Sequence, residues 1–520
     1  MSADTVLARI NAALARAGIA AALSLGAAGS AAPVPVPGVT TLAASLTLTL
    51  PLPEGLIVVA AGGAAPTPAG PDLELSSATV VTGSTVSAET ARVPEGGVIV
   101  WGDGTQGGTE HVYTVPGTYS VRVEVDGAVL RSTIRTLTVL GPHGLPEWFT
   151  APFQAPLVIT EGGVYSGNYR SNDWRVPAVQ IKTREAVFLG KMRLEGRGVL
   201  VECAYEDVTL TMRNVYGVGL NPNEAGRRHG RFVNCEDFVS VDIENCYCEK
   251  TSGIYFRSWT GRAAQGTPTI NVQKVRAKNI EGRLSDGAGG YSAGFYRVQF
   301  LQINAIANIP RVKIKWNSVL NEARNSRVED NINLGGSSGT EDSWIEIAYN
   351  LIDGAYDAVP GARYTGGGIL IGDGAGGQNI HVHHNAVVQS SNYSVANAGA
   401  HRNVLFEDNR WASTGRLADG TLVNTINDNG GYNRNYARAL NWQPASVIWR
   451  RNIAAHGKPT ASNPNRRGDY SLNAPTLSTS IDNTSLNGGV GAVTDADVQA
   501  VRDWHAGLVA AGNVTIGLAA

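Results

Sequence analysis

The chain has 520 residues, a formal charge of −2, 62 glycines and only 17 % charged side chains. Its length admits two or three domains, its near-zero charge argues against a general nucleic-acid surface, and its glycine content suits a turn-rich β protein. No run of eighteen apolar residues is present, so a membrane-spanning helix is not expected.

Residues 4–17 place Leu7, Ile10 and Leu14 on one helical stripe. So short a helix is marginal alone, and it either docks on a partner or frays. Gly18 to Ala32 is apolar like the core of a secretory signal, but Asp4 and the long helix before it fit a retained segment better. PVPVPG at 33–38 is a stiff spacer, so 1–38 reads as an anchor helix and linker. Residues 39–60 alternate like strands and GGAAPTPAGP is a second linker, which makes 39–71 a small β segment.

Residues 72–140 read as a small β-sandwich. WGDGTQGGTEHVYTVPGTYSVRVEV holds a DG turn, a PG turn and strands alternating around Tyr119, Val121, Val123 and Val125. Gly102, Asp103, Gly104, His111, Tyr113, Pro116, Gly117, Thr118 and Tyr119 resemble the PKD family of immunoglobulin-like sandwiches, with Trp101 where that family usually has Phe. The resemblance implies a spacer or adhesion module, with His111 a partner of the turn rather than a catalyst. In the Pro-rich join that follows, Trp148, Phe149 and Phe153 are expected to cap an open solenoid end.

Five segments in the second half share one pattern: RVKIKWN ending at Asn317, WIEIAYN at Asn350, IHVHHN at Asn385, VLFEDN at Asn409 and VIWRRN at Asn452. Bulky apolar residues stand five and three positions before each Asn: Val312/Ile314, Ile345/Ile347, Ile380/Val382, Val404/Phe406 and Val447/Trp449. Alternation of period two is a strand with one buried face. Asn at each end is a turn residue that tolerates a left-handed backbone, and stacked Asn side chains form amide ladders. Asn214 and Asn245 end two earlier copies, shifted by one residue. Adjacent copies are 31, 33, 35, 24 and 43 residues apart. That interval is too short and variable for propeller blades, whereas stacked coils let extra residues loop out at a corner.

By these residues, Ile159 to about Leu486 resembles the pectate-lyase-like right-handed β-helix proteins. The expected fold class is therefore all-β: a right-handed parallel β-helix over 141–490, preceded by the PKD-like sandwich, with short terminal helices. In the last segment, 491–520, TDADVQAVRDWHAGLVAAG reads as a helix with Thr494 as N-cap, Val498, Val501 and Leu508 inward and Gly512 as stop. It is expected to cap the last coil or meet a neighbouring subunit. Cys203, Cys235, Cys246 and Cys248 form no CxxC pair, which favours buried free thiols over zinc or redox chemistry and fits a reducing compartment.

Register of the five units places Lys313, Glu346, His381, Leu405 and Ile448 in one outward row and Lys315, Ala348, His383, Glu407 and Arg450 in another. Glu346, Glu407, His381 and His383 are thus candidate acid–base catalysts on a sugar chain, with the two carboxylates near or beyond the roughly 6.5–9.5 Å of inverting glycosidases. Alternating charge on an exposed β face also serves simply to avoid like-charge stacking. Two His are too few for a metal, and no cofactor is implied. The acidic series of pectate lyases and polygalacturonases is missing around RHG at 228–230 and RVK at 311–313, so neither family's catalytic residues carry over. Residues 419–443 gather Tyr432, Tyr436, Arg438 and Trp442, chemistry suited to sugar rings. Trp259 in FRSW and Tyr393 in SSNYS are smaller candidates for carbohydrate binding.

An N-terminal helix, stiff linker, small sandwich and long β-helix together resemble the tailspikes and head spikes of phages. The resemblance implies a homotrimer on a virion or phage-like particle, docked on the particle through its N-terminal segment and attaching to bacterial surface (capsular) polysaccharide. A polysaccharide lyase or hydrolase, and a secreted or surface adhesin of a bacterium, are the alternatives.

Overall fold

The computed structural model describes residues 22–26, 45–49 and 71–518, except 76–78, 82–84, 114–116, 141–146, 263–265, 356–364, 374–375, 418, 424–432, 436–445 and 472–477. Strands make up 51 % and helices 7 % of it, so the class is all-β, with large parallel sheets. Two units separate at Ala69/Gly70. In the first, Ala22–Gly26 pairs antiparallel with Ser45–Thr49. A strand was expected only in the second of these stretches. The stripe of Leu7, Ile10 and Leu14 lies outside the described residues.

In the second unit, residues 72–140 form two sheets around one core. Asp72–Leu75, Thr85–Ala91 and Glu110–Val112 make one; Thr79–Val81, Ala128–Leu140, Gly117–Val125 and Val98–Val100, in that spatial order, make the other. Leu73, Val86, Trp101, Tyr113, Val121, Val123 and Leu137 meet between them. The DG turn is fastened from both sides. Asp103 accepts from the Thr105 backbone N–H at 3.0 Å and lies 2.7 Å from His111 Nε2, while the Tyr113 hydroxyl donates to the Trp101 carbonyl at 2.7 Å.

From Leu157 onward the chain alternates between two parallel sheets. One has 11 strands, from Leu157–Ile159 to Tyr470–Ser471; the other has 19, from Gly163–Ser171 to Thr484–Ser485, and both follow chain order. Each circuit therefore hydrogen-bonds only to the circuits before and after it. Ile345, Ile380, Val404 and Val447 stand in register, as do Ile347, Val382, Phe406 and Trp449. All eight are at most 1 % exposed. Full burial of such side chains is worth about 1.5–3 kcal/mol each, and a slip of one residue would turn the whole row to solvent. The four thiols are free and buried.

The long sheet bends at one residue per circuit. Lys191, Asn214, Asn245, Lys274, Trp316, Tyr349, His384, Asp408, Arg451 and Asp482 all have φ between 51° and 58°. This corrects the expectation for the five repeats: the left-handed residue is the one before the Asn. In the earlier, shifted copies Asn214 and Asn245 take the bend themselves, and Val215 and Cys246 take the inward position that follows. From Asn317 that inward column becomes asparagine. Asn317, Asn350, Asn385, Asn409, Asn452 and Asn483 form a chain in which each Nδ2 donates to the next Oδ1 at 2.8–2.9 Å. The second Nδ2 hydrogen reaches a carbonyl of the preceding circuit, as from Asn385 to Ile347 at 2.9 Å.

The C-terminal helix lies on the flank of the stack rather than over its end. The segment 147–154, by contrast, pairs through Gln154 with Tyr169 on the open edge of the first strand and reaches over the flank. Trp148 and Phe149 belong to a short helix, Glu147–Thr150, whose Phe149 ring meets Tyr216 at 4.9 Å and the Arg193 guanidinium at 5.0 Å. Phe153 lies under Arg170 and Arg193. The helix Asp495–Ala511 has its capping box at Thr494 and Asp497 and buries Val498, Val501 and His505. Leu508, expected inward, is half-buried. Through Val498 and Val501 the helix packs on Ala386, Val388, Ala412 and Ala455, small residues on the outer side of the long sheet. Arg502 grips Asp353 at 2.7 and 2.8 Å, and Gly517 N–H donates to the Lys274 carbonyl at 2.8 Å. Instead of closing the last coil, this segment runs back along the stack, and residues 513–518 form turns rather than a strand.

Candidate functional site

The predicted outward rows form as read. Glu346 is in register with His381, and His383 with Glu407. The contacts, however, cross between rows: His383 Nε2 lies 3.1 Å from Glu346 Oε1, and His381 Nε2 lies 3.2 Å from Glu407 Oε2. Lys315 Nζ donates to Glu346 at 2.8 Å, while Arg450 and Arg451 both pair with Glu407. The imidazoles of His381 and His383 stack at 4.1 Å.

This wiring decides what the four residues do. The hydrogen bond from His383, with Lys315 behind it, holds the Glu346 carboxyl down at about 2. Burial opposes ionisation of Glu407, but Arg450 and Arg451 outweigh it and keep that carboxyl below its ordinary range. Burial, aided by the neighbouring His383, lowers His381 to about 4. Glycoside hydrolysis needs one carboxyl kept protonated as the acid, and near neutral pH neither glutamate is. The strip is a salt-linked network joining five adjacent strands.

Its titration has a predictable sign. Glu346 ionises at about 2 folded against an ordinary 4.5, so its stabilisation is complete above 4.5 and is lost as pH falls toward 2. His381 stays neutral down to about 4 against an ordinary 6.5, so stability drains as pH falls from 6.5 to 4. Buried His229 and His456, lowered to about 4 and about 3, add in the same direction. The melting midpoint is expected to drop steadily from pH 7 to pH 4, and His381→Gln to flatten the upper part of that fall. A midpoint independent of pH over this range would contradict the assignment.

The predicted sugar contacts fare differently. Tyr432, Tyr436, Arg438 and Trp442 lie outside the described residues. Trp259 is half-buried against the main core and donates its indole N–H to the Val239 carbonyl at 3.2 Å. Tyr393 is 6 % exposed, with its hydroxyl hydrogen-bonded to buried Asp330. Packing covers the Tyr393 ring, while Trp259 keeps part of its surface accessible.

The face that sequence reasoning missed is the outer side of the 11-stranded sheet. Glu202, Asn234, Tyr255, Gln302 and Asn333 occupy successive outward positions in register, with Tyr255 and Asn333 covered by neighbouring side chains and the other three half-buried. Strands there are about 4.8 Å apart, so the row spans about 19 Å, the length of several sugar rings. Asn234 donates to Glu202 at 2.8 Å, Asn304 donates to the Tyr255 hydroxyl at 2.9 Å, and Asn333 donates to Asp330 at 2.9 Å. Arg231 lies 3.5 Å over the Tyr255 ring and Arg228 4.8 Å over Tyr296. At the far end Gln299 donates to Glu329 at 2.8 Å. Burial, together with the adjacent Asp330 charge, raises the Glu329 carboxyl, and burial raises that of Asp330. The signal was present in VEC, VNCE, IYFR, QFLQIN and DNINLG, where a polar or aromatic residue stands between two apolar ones.

Among the described residues no group of three or more His, Cys, Asp or Glu is arranged to hold a metal ion, and no helix is long and apolar enough to cross a membrane. No known protein family matches the chain, and neither a curated protein nor a solved structure does.

Proposed function

We propose that the chain is a receptor-binding surface spike of a phage or phage-like particle, attaching to bacterial surface polysaccharide. In this reading 141–490 is a right-handed parallel β-helix, 72–140 a PKD-like spacer, and the N-terminal segment docks a homotrimer on its particle. The observation that carries it is the outward row on the shorter sheet, in which Glu202, Asn234 and Gln302 stay accessible. Planar hydrogen-bonding groups, with the 52 % exposed Tyr296 ring close by, match a sugar chain, which is apolar on its faces and hydroxylated at its edges. The test is size-exclusion chromatography of host capsule incubated with purified protein. Co-elution with polysaccharide of unchanged length supports attachment, and failure to bind any host polysaccharide overturns it.

A depolymerase is the second reading, favoured by the raised carboxyl of half-buried Glu329 at the end of this row, beside buried Asp330. Shortened polysaccharide, with cleavage abolished by Glu329→Gln, would establish it. In either case Glu346→Gln and Glu407→Gln are expected to leave glycan binding within about 1 kcal/mol of the parent, since both carboxylates are engaged in ion pairs of the long sheet rather than in the row on the shorter one. Titration of binding by isothermal calorimetry checks this, and a larger loss would return the site to the long sheet.

A further inference from the structure

The row on the shorter sheet begins beside two arginines that neutral sugars do not explain. Arg228 and Arg231 precede the strand Val233–Glu236, and neither forms an ion pair among the described residues. A guanidinium carries five N–H donors. Arg231 spends one on Asn234 Oδ1 at 3.1 Å, and Arg228 one on the His229 carbonyl at 3.3 Å. Both side chains are half-buried, yet none of their unspent nitrogens is sealed from solvent. Two other well-covered arginines are neutralised, Arg467 by Asp469 at 2.8 Å and Arg283 by Glu281 at 2.5 Å.

The surroundings hold this pair ready rather than satisfying it. Tyr255 and Tyr296 support the guanidinium planes from beneath, a geometry that fixes the fork. Glu202, the acid of the same row, is engaged by Asn234 at 2.8 Å. Burial, reinforced by the positive charge of Arg228, pushes Arg231 down to about 10. Two like charges partly removed from water are costly until an anion joins them. Tyr296 is 52 % exposed, which leaves ring surface beside the fork for a sugar.

We infer that Arg228 and Arg231 form a subsite for a carboxylate-bearing sugar residue, such as a uronic acid, within an acidic polysaccharide. The carboxylate accepts from the unspent N–H groups as a planar, two-oxygen ligand, and the sugar ring lies toward the exposed ring of Tyr296. The inference rests on the attachment reading above and narrows its ligand to acidic glycans.

The test uses the full chain on an array of immobilised acidic and neutral bacterial capsular polysaccharides, each also presented after chemical reduction of its carboxyl groups. Binding is expected only on acidic members and is expected to vanish on carboxyl reduction. Arg228→Gln/Arg231→Gln should weaken it by about 10- to 100-fold, the range for losing hydrogen bonds to a charged group. Arg231→Lys, which keeps the charge and lacks the fork, should weaken it by about 10-fold with an unchanged melting curve. The carboxyl-reduction arm uses unmutated protein and stands even if an Arg variant does not fold. Binding that survives reduction, or that disappears only when phosphate substituents are removed, overturns the carboxylate subsite and leaves attachment intact. Absence of binding to every polysaccharide overturns both.

Discussion

Asn385→Ala is expected to lower unfolding free energy by about 3–5 kcal/mol, read as a shift in the urea midpoint. The residue is 0 % exposed. Its Oδ1 accepts the backbone N–H and the side-chain amide of Asn350 at 3.1 and 2.9 Å, and its Nδ2 serves the Ile347 carbonyl and Asn409 Oδ1, both at 2.9 Å. Alanine leaves these groups in the dry interior without partners, and each buried orphan costs about 1–3 kcal/mol. Asn483, half-exposed at the end of the ladder, is the internal control. Water can replace part of what it supplies, so Asn483→Ala should cost about 1 kcal/mol. Equal losses at the two positions would mean that burial of the ladder is not what stabilises it. Val215, Cys246 and Val275 occupy the same column in earlier circuits, so apolar residues are tolerated there where neighbouring positions are apolar too.

Trp449 offers the second large effect, and a contrast within one position. Its ring stacks on Phe406 at 3.8 Å and 12°, and both are fully buried. Trp449→Ala should cost about 3–5 kcal/mol through lost burial and the cavity left behind. Trp449→Phe should cost less than about 1.5 kcal/mol, because the stack survives. The indole Nε1 is moreover a buried donor with no acceptor, so phenylalanine removes an unsatisfied group along with the lost volume. Both values come from chemical denaturation. A Phe variant as damaged as the Ala variant would show that the indole N–H has a partner after all.

Legibility divided along chemical lines. Strands with one buried face were readable because period two is written directly in Ile345/Ile347 or Val404/Phe406, and a regular spacing fixed their register without further information. The ladder was readable for the same reason. Which residue bends the backbone was not: a left-handed φ at Trp316 or Tyr349 is imposed by stacking of circuits, and nothing in the local preference of Trp or Tyr announces it. The four predicted catalysts were placed together correctly, yet the outcome depended on Lys315, Arg450 and Arg451, whose reach across strands is a matter of side-chain direction rather than spacing. Tyr393 looked like a sugar platform because composition does not reveal whether a ring faces in or out. The outer row of the shorter sheet was overlooked because its strands, three to six residues long, carry no Asn at a constant position to mark them.

The C-terminal segment changes how the stack responds to force. In a plain solenoid the last circuit peels first, because it has a neighbour on one side only. Here the segment after Thr494 crosses the flank backward, is clamped to Asp353 by Arg502, and ends its contacts at Lys274 and Asn245. A pull applied beyond Gly517 therefore enters the structure amid its circuits and is shared by shear along a helix, while the terminal circuits around Trp449 stay unloaded. The fold behaves less like a coil of rope drawn from its end than like one lashed along its side.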